Sequence, residues 1–231
     1  MKKITTLLSC LFLLCWSVSV GQSDETKQLV DMVKKNLGAS MQNLKNYEWL
    51  ETTTVFYKGE QKSSKQNQCY YSVDNKLTKV PAGDASADKQ ARGLRGRIAE
   101  NKKEEMSDYA EKCIEKIQKY LPPASDKLQA VYASGKASVQ ALQPGKLYTL
   151  NFTNYLEAAD QVGITIDKTK ALLTKIAVLT SVNDPSDKIT FSISYSQLPD
   201  GTEYPAETIL DMPSKQLKIV ITQGGFKKAA R

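Results

Sequence analysis

The sequence predicts an α+β protein: one strongly curved antiparallel sheet with helices packed on its concave face. Three observations predict it. Segment after segment of the second half alternates apolar residues with Thr, Ser or Lys. The clearest is Ile189, Phe191, Ile193 and Tyr195, interleaved with Thr190, Ser192, Ser194 and Ser196. Such strands cover a core with one face and meet water with the other. The turns between them are short, so neighbours are antiparallel hairpins. Two helical stretches carry apolar stripes that need a partner. Two facing sheets would satisfy the strands, but a single curved sheet also buries the helices.

The chain has 231 residues and begins with a segment unlike the rest. Lys2 and Lys3 precede an uncharged run whose middle is Leu7, Leu8, Leu11, Phe12, Leu13 and Leu14, with Ser17, Ser19 and Gly21 after it. A positive start, a short apolar run and a small-x-small exit mark a secretory signal peptide over residues 1–21. The run is short and diluted for a membrane span of roughly 20 residues. Cys10 follows Leu7-Leu8-Ser9, a weak match to a lipidation box, so a lipid-anchored form is the lesser alternative. The expected location is the periplasm or the exterior. Cleavage removes two lysines and no acid, so the formal charge of +7 falls to +5.

Residues 22–231 read as one domain. A helix is expected over residues 24–46, with Leu29, Val30, Val33, Leu37, Met41 and Leu44 at helical spacing. Residues 47–57 have strand composition, with Tyr47, Trp49, Val55, Phe56 and Tyr57 among threonines. After the Lys58-Gly59 turn, a polar strand runs from Gln61 to Tyr71, and Asp74-Asn75 turns the chain again. A helical insertion is expected at about residues 92–134. Its long helix, from Ile98 to Leu121, carries Met106, Tyr109, Ala110, Cys113, Ile114 and Ile117 on one face. Pro122-Pro123 ends it, and Ser125 can cap a short helix closed by Gly135. The remaining strands contain Tyr148 to Phe152, Val162 to Ile166, Leu172 to Val182, Ile189 to Tyr195, Tyr204 to Met212 and Leu217 to Ile221.

There is no histidine. That excludes Ser-His and Cys-His nucleophiles, His-ligated zinc and a His proton shuttle. No glycine-rich phosphate loop and no Cys-x-x-Cys occurs, so neither a cofactor nor a metal is expected. The acids of the long helix alternate with lysines, which describes a solvated face rather than an acid-base pair. An enzyme is not expected. Two cysteines remain in the exported chain, Cys69 and Cys113, either bridged or buried as small apolar residues. Arg92, Arg95 and Arg97 form the best local charge cluster, suited to anionic lipid head groups or an acidic protein partner. Nucleic acid is not expected as a partner of an exported chain without an aromatic-basic array.

The order of elements adds a resemblance. Asn46, Tyr47, Trp49 and Thr52 to Val55 follow the first helix. Ile164 to Asp167 precede a Thr-x-x-Leu turn at Thr169 and Leu172. Asp200-Gly201 runs into Tyr204-Pro205. This resembles the bacterial lipoprotein-localisation (Lol) carrier superfamily, lipoprotein-sorting proteins of the outer membrane included. The resemblance implies an unclosed barrel with a helical lid over an apolar cavity. No single position matches the carriers' functional arginine.

Two functions follow. The first is a non-catalytic envelope protein holding acyl chains or lipoproteins. Trp49, Tyr148, Phe152, Ile176, Val178, Phe191, Ile193 and Tyr195 would line the concave face, with Met106, Tyr109, Ile114 and Ile117 under the lid. The second is a protein–protein interaction module with a filled core and no ligand, contacting its partner through the three arginines or the polar strand from Gln61 to Gln68.

Overall fold

The structure, a computed structural model, describes residues 21–82 and 94–229, and of residues 21–30 and 94–100 the backbone only. Residues 1–20 of the signal peptide expected over 1–21, and Arg92, lie outside the described residues, and Arg95 and Arg97 fall in the first turns of a helix.

Among the described residues, ten strands form one antiparallel sheet that does not close, and three helices accompany it. Helix α1 is Gly21–Asn43, followed by a 3₁₀ turn at Leu44–Asn46. Strands β1 (Tyr47–Tyr57), β2 (Glu60–Tyr71) and β3 (Leu77–Pro81) form a meander. Helices α2 (Leu94–Gln118) and α3 (Ser125–Ala133) come next. Then follow β4 (Ala137–Gln143), β5 (Leu147–Thr153), β6 (Gln161–Asp167), β7 (Leu172–Ser181), β8 (Lys188–Gln197), β9 (Glu203–Met212) and β10 (Leu217–Lys228). The spatial order is β3-β2-β1-β10-β9-β8-β7-β6-β5-β4. The long-range pairing is therefore β1 with β10, which joins the N-terminal meander to the C-terminal one.

The turns follow local chemistry. Lys58 and Gly59 both have positive φ in the β1–β2 hairpin, the geometry of a two-residue turn whose twist suits the strands. Register slips interrupt the ladders at Glu48/Leu50, Thr165/Ile166 and Ser194/Tyr195. Each slip changes which residues face inward. On β7 it turns Leu173, rather than Leu172, into the buried position.

Helix α2 packs its apolar stripe across one end of the sheet. Tyr109, Cys113, Ile117 and Tyr120 meet Phe152, Val162, Val178, Ile189, Leu210 and Met212 in the larger core. Each large side chain buried there contributes about 1.5–3 kcal/mol. Helix α1 lies against β7 and β9, and its Val33 joins Ile166, Leu173 and Ile176 in a second, smaller cluster. Polar bonds fix both helices. Tyr120 Oη donates to Asp160 Oδ2 at 2.9 Å, and Tyr109 Oη donates to Asp187 Oδ1 at 2.6 Å. On α1, Asn36 Nδ2 donates to the Ala171 carbonyl at 3.0 Å, and the Glu203 backbone N–H donates to Ser40 Oγ at 2.9 Å.

Two local expectations are corrected. The long helix begins at Leu94, before the expected Ile98, and ends at Gln118 rather than Leu121, because Lys119 and Tyr120 turn back toward Lys116 and Ile117. Ser125 is not the cap of α3: Ala124 holds that place without a side-chain bond, and Ser125 Oγ receives the Lys34 ammonium of α1 instead. Of the two alternatives for Cys69 and Cys113, the structure has the unbridged one: both are free and buried. Cys69 sits on β2 opposite Trp49, while Cys113 belongs to the α2 core. Burial pushes both thiols up, Cys113 to about 11, so they pack as small apolar groups.

Candidate functional site: an apolar cavity between sheet and helices

A cavity of about 900 Å3 lies between the sheet and helices α1 and α3. All ten strands contribute to its wall, from Leu77 on β3 to Val139 on β4. A sheet whose two free edges border one cavity is curled through most of a barrel. The floor is Leu150, Ile164, Ile166, Leu173, Ile176 and Ile193, and the cover is Val33, Leu37 and Met41 of α1 with Leu128 and Tyr132 of α3. Leu121, Pro122 and Pro123 link α2 to α3 along the same wall. Such volume and apolarity suit an organic ligand with a large hydrocarbon part.

The β1 side is aromatic. The Trp49 ring stacks on Phe226 at 5.7 Å between centroids and stands 6.0 Å from Tyr71. Gly225, with φ of +65°, lets β10 bulge here, and Leu50 packs 3.6 Å from where its Cβ would stand. Four exposed apolar residues, Met41, Leu77, Tyr132 and Val139, also border the cavity, so apolar surface continues from the interior to the outside.

Few polar groups reach the wall. Glu51 is buried behind it, with Lys79 Nζ at 2.5 Å from Oε1 and Gln223 Nε2 donating to Oε2 at 3.3 Å. Glu203 is 2% exposed; its Oε2 accepts the Leu173 N–H at 3.2 Å, and its Oε1 has no partner. Burial pushes the Glu203 carboxyl up in pKa, with the Leu173 N–H acting in the opposite direction. Burial, and then the charge of Glu203, push the Tyr195 hydroxyl up to about 12.

The residues singled out from the sequence divide between two places. Trp49, Phe152, Ile176, Ile193 and Tyr195 border the cavity. Val178 and Phe191 lie one step further along β7 and β8, in the core under α2, with Tyr109 and Ile117. Met106 packs against that core, and Ile114 is 42% exposed. The Tyr148 hydroxyl instead accepts the Gly145 N–H at 2.8 Å in its own hairpin. The cover is thus made by α1 and α3, not by α2. The stripe of α1 is as regular as that of α2, so periodicity alone does not say which helix meets a filled core. Glu203 escaped notice for a different reason. The even-numbered alternation of β9 reaches inward at Leu210 and Met212, but beyond the Ser194/Tyr195 slip the odd residues Glu203 and Pro205 face the same side as Tyr195.

Comparison with protein-family models and with curated proteins finds no match. Among solved structures, a DUF1329 family protein from Desulfovibrio piger aligns with a TM-score of 0.40 and 8% identity, over 88% of this chain and 93% of that one. A LolA superfamily protein from Nitrosomonas europaea aligns at 0.37 and 9%, over 89% and 94% of the two chains. An outer membrane lipoprotein-sorting protein domain from Vibrio parahaemolyticus aligns at 0.35 and 8%, over 86% and 94%. The chain aligns over most of its length with each of these solved proteins.

Proposed function

We propose that the protein is an exported, non-catalytic carrier of the cell envelope that holds acyl chains, as lipids or on lipoproteins, between its sheet and helices α1 and α3. The observation that carries this reading is the apolar cavity of about 900 Å3 bordered by all ten strands. Each buried methylene is worth about 0.8 kcal/mol, so a dozen supply on the order of 10 kcal/mol before the loss of translational freedom. The apolar border at Met41, Leu77, Tyr132 and Val139 gives a chain a continuous path inward. An interaction module with a filled core fits a cavity of this size poorly. In the carrier reading Arg92, Arg95 and Arg97 meet anionic head groups or a protein partner.

Titration of the full chain with dodecanoyl and hexadecanoyl lipids, followed by Trp emission and calorimetry, tests the proposal. Saturable binding is expected. Ile193→Trp, which fills the floor, is expected to lower affinity at least tenfold while the circular dichroism stays unchanged. Absence of saturable binding, or an Ile193→Trp variant that binds as the native chain does, would overturn it.

A further inference from the structure

The wall contains two buried polar atoms that no protein group satisfies. Both Trp49 Nε1 and Glu203 Oε1 lack a hydrogen-bond partner among the described residues, and both residues border the same cavity. Leaving such an atom unpaired costs the desolvation of a polar group, and native proteins tolerate it mainly where a further partner arrives. Their chemistry restricts that partner. Trp49 can only donate. Glu203 already accepts one backbone N–H through Oε2, at 3.2 Å. Tyr195, on the same face of the neighbouring strand, adds a hydroxyl that stays protonated at neutral pH.

We propose that Glu203, with Tyr195 and Trp49, forms a polar anchor inside the cavity that selects amphiphiles carrying a neutral donor-acceptor group, an amide or a hydroxyl, over free carboxylates. This rests on the reading of the cavity as an acyl-chain site. Burial pushes the Glu203 carboxyl up in pKa; its unpaired Oε1 can accept an N–H or O–H when ionised, and the neutral acid can also donate. An amide carries both a carbonyl that an N–H can reach and an N–H that a carboxyl oxygen can accept, and so matches either kind of unpaired atom. A carboxylate brings a second acidic group into the same low-dielectric space, where two carboxyls cannot both ionise cheaply. A plain hydrocarbon leaves both atoms unpaired. Oε1 is sealed from water, so the ligand group reaches it through a turn of the carboxyl rather than by displacing solvent.

The test is calorimetric titration of the full chain at pH 7 with dodecanamide, 1-dodecanol and dodecanoate, which share one chain length. The amide and the alcohol are expected to bind roughly tenfold or more tighter than the carboxylate. Glu203→Gln is expected to keep amide binding, and Glu203→Leu to erase the preference while chain binding persists. Tyr195→Phe, a milder change, is expected to reduce the preference severalfold and guards against misfolding of the leucine variant. Equal affinities for the three probes, or a preference that survives both Glu203→Leu and Tyr195→Phe, would overturn the anchor and leave the carrier reading standing. Binding of none of the probes would overturn both.

Discussion

Asp160 shows how single side chains hold this fold. It is 2% exposed, and its carboxylate accepts the backbone N–H groups of Tyr155, Leu156 and Glu157 and the hydroxyl of Tyr120. One acid thereby shapes the loop between β5 and β6 and pins the residue that follows α2. Tyr120 is fully buried and also bonds Thr180 on β7 at 2.9 Å. Asp160→Ala leaves three N–H groups and a phenol unmatched, and about 3 kcal/mol of stability should be lost. Tyr120→Phe removes a single hydroxyl and should cost about 1–2 kcal/mol. Urea unfolding midpoints check both, and a smaller effect from Asp160→Ala than from Tyr120→Phe would contradict this account. Glu203 contrasts with Asp160: one acid has every oxygen engaged, the other keeps one oxygen unpaired at a cavity wall.

Among the elements, α1 and α2 differ in how they are held. Helix α2 has a deep apolar contact through Tyr109, Cys113 and Ile117. Helix α1 has Val33, with the partly buried Leu37, in the smaller cluster, and polar links also fix it: Asn36 to Ala171, Ser40 with Glu203, Asn43 to Thr202, and Lys34 to Ser125. Fewer buried apolar contacts mean a lower local opening free energy. Amide hydrogen exchange should therefore be faster in residues 31–43 than in residues 109–118, and a bound acyl chain should slow the former selectively. Equal exchange in both helices, or ligand protection confined to α2, would contradict the assignment of α1 as cover. The sequence made both helices legible, as well as β1, β2 and β5 to β10. It did not show which helix covers open space, because an apolar stripe is the same pattern whether it meets side chains or a ligand. Nor did it show the register slips at Thr165/Ile166 and Ser194/Tyr195, which bring Leu173 and Glu203 inward.

At the scale of the whole molecule, acids of opposite behaviour set the response to pH. Asp167 is held below its ordinary 3.8 by the Thr169 hydroxyl, and Asp200 by the Tyr47 hydroxyl. At Asp187, burial raises the carboxyl, but the bonds from Ser214, Tyr109 and Asn183 prevail and lower it. For these three the unfolded chain binds more protons, so stability present above about pH 4 is lost as pH falls through the lowered values. Glu203 works the other way. Its folded value lies above the ordinary 4.5, so its contribution is full below that pH and is lost as pH rises through the folded value. Unfolding free energies measured from pH 3 to 8 should show the acid-side loss reduced in Asp187→Asn and the loss above pH 4.5 reduced in Glu203→Gln. Unchanged slopes in both variants would refute the assignment.

By itself the sequence determined the elements and the class: period-two strands, period-3.6 helices, short turns, and a composition without histidine that steers away from most acid-base enzymes. Those are local properties, written in neighbouring residues. Only the tertiary structure decided that β1 pairs with β10, that both sheet edges border one cavity, and that a buried carboxyl stands in its wall. Pairing between residues 47 and 228 joins segments separated by almost the whole chain. A one-residue slip reverses a face, and a cavity is space bounded by many distant residues at once. None of these leaves a period in the sequence, because each depends on how the elements meet.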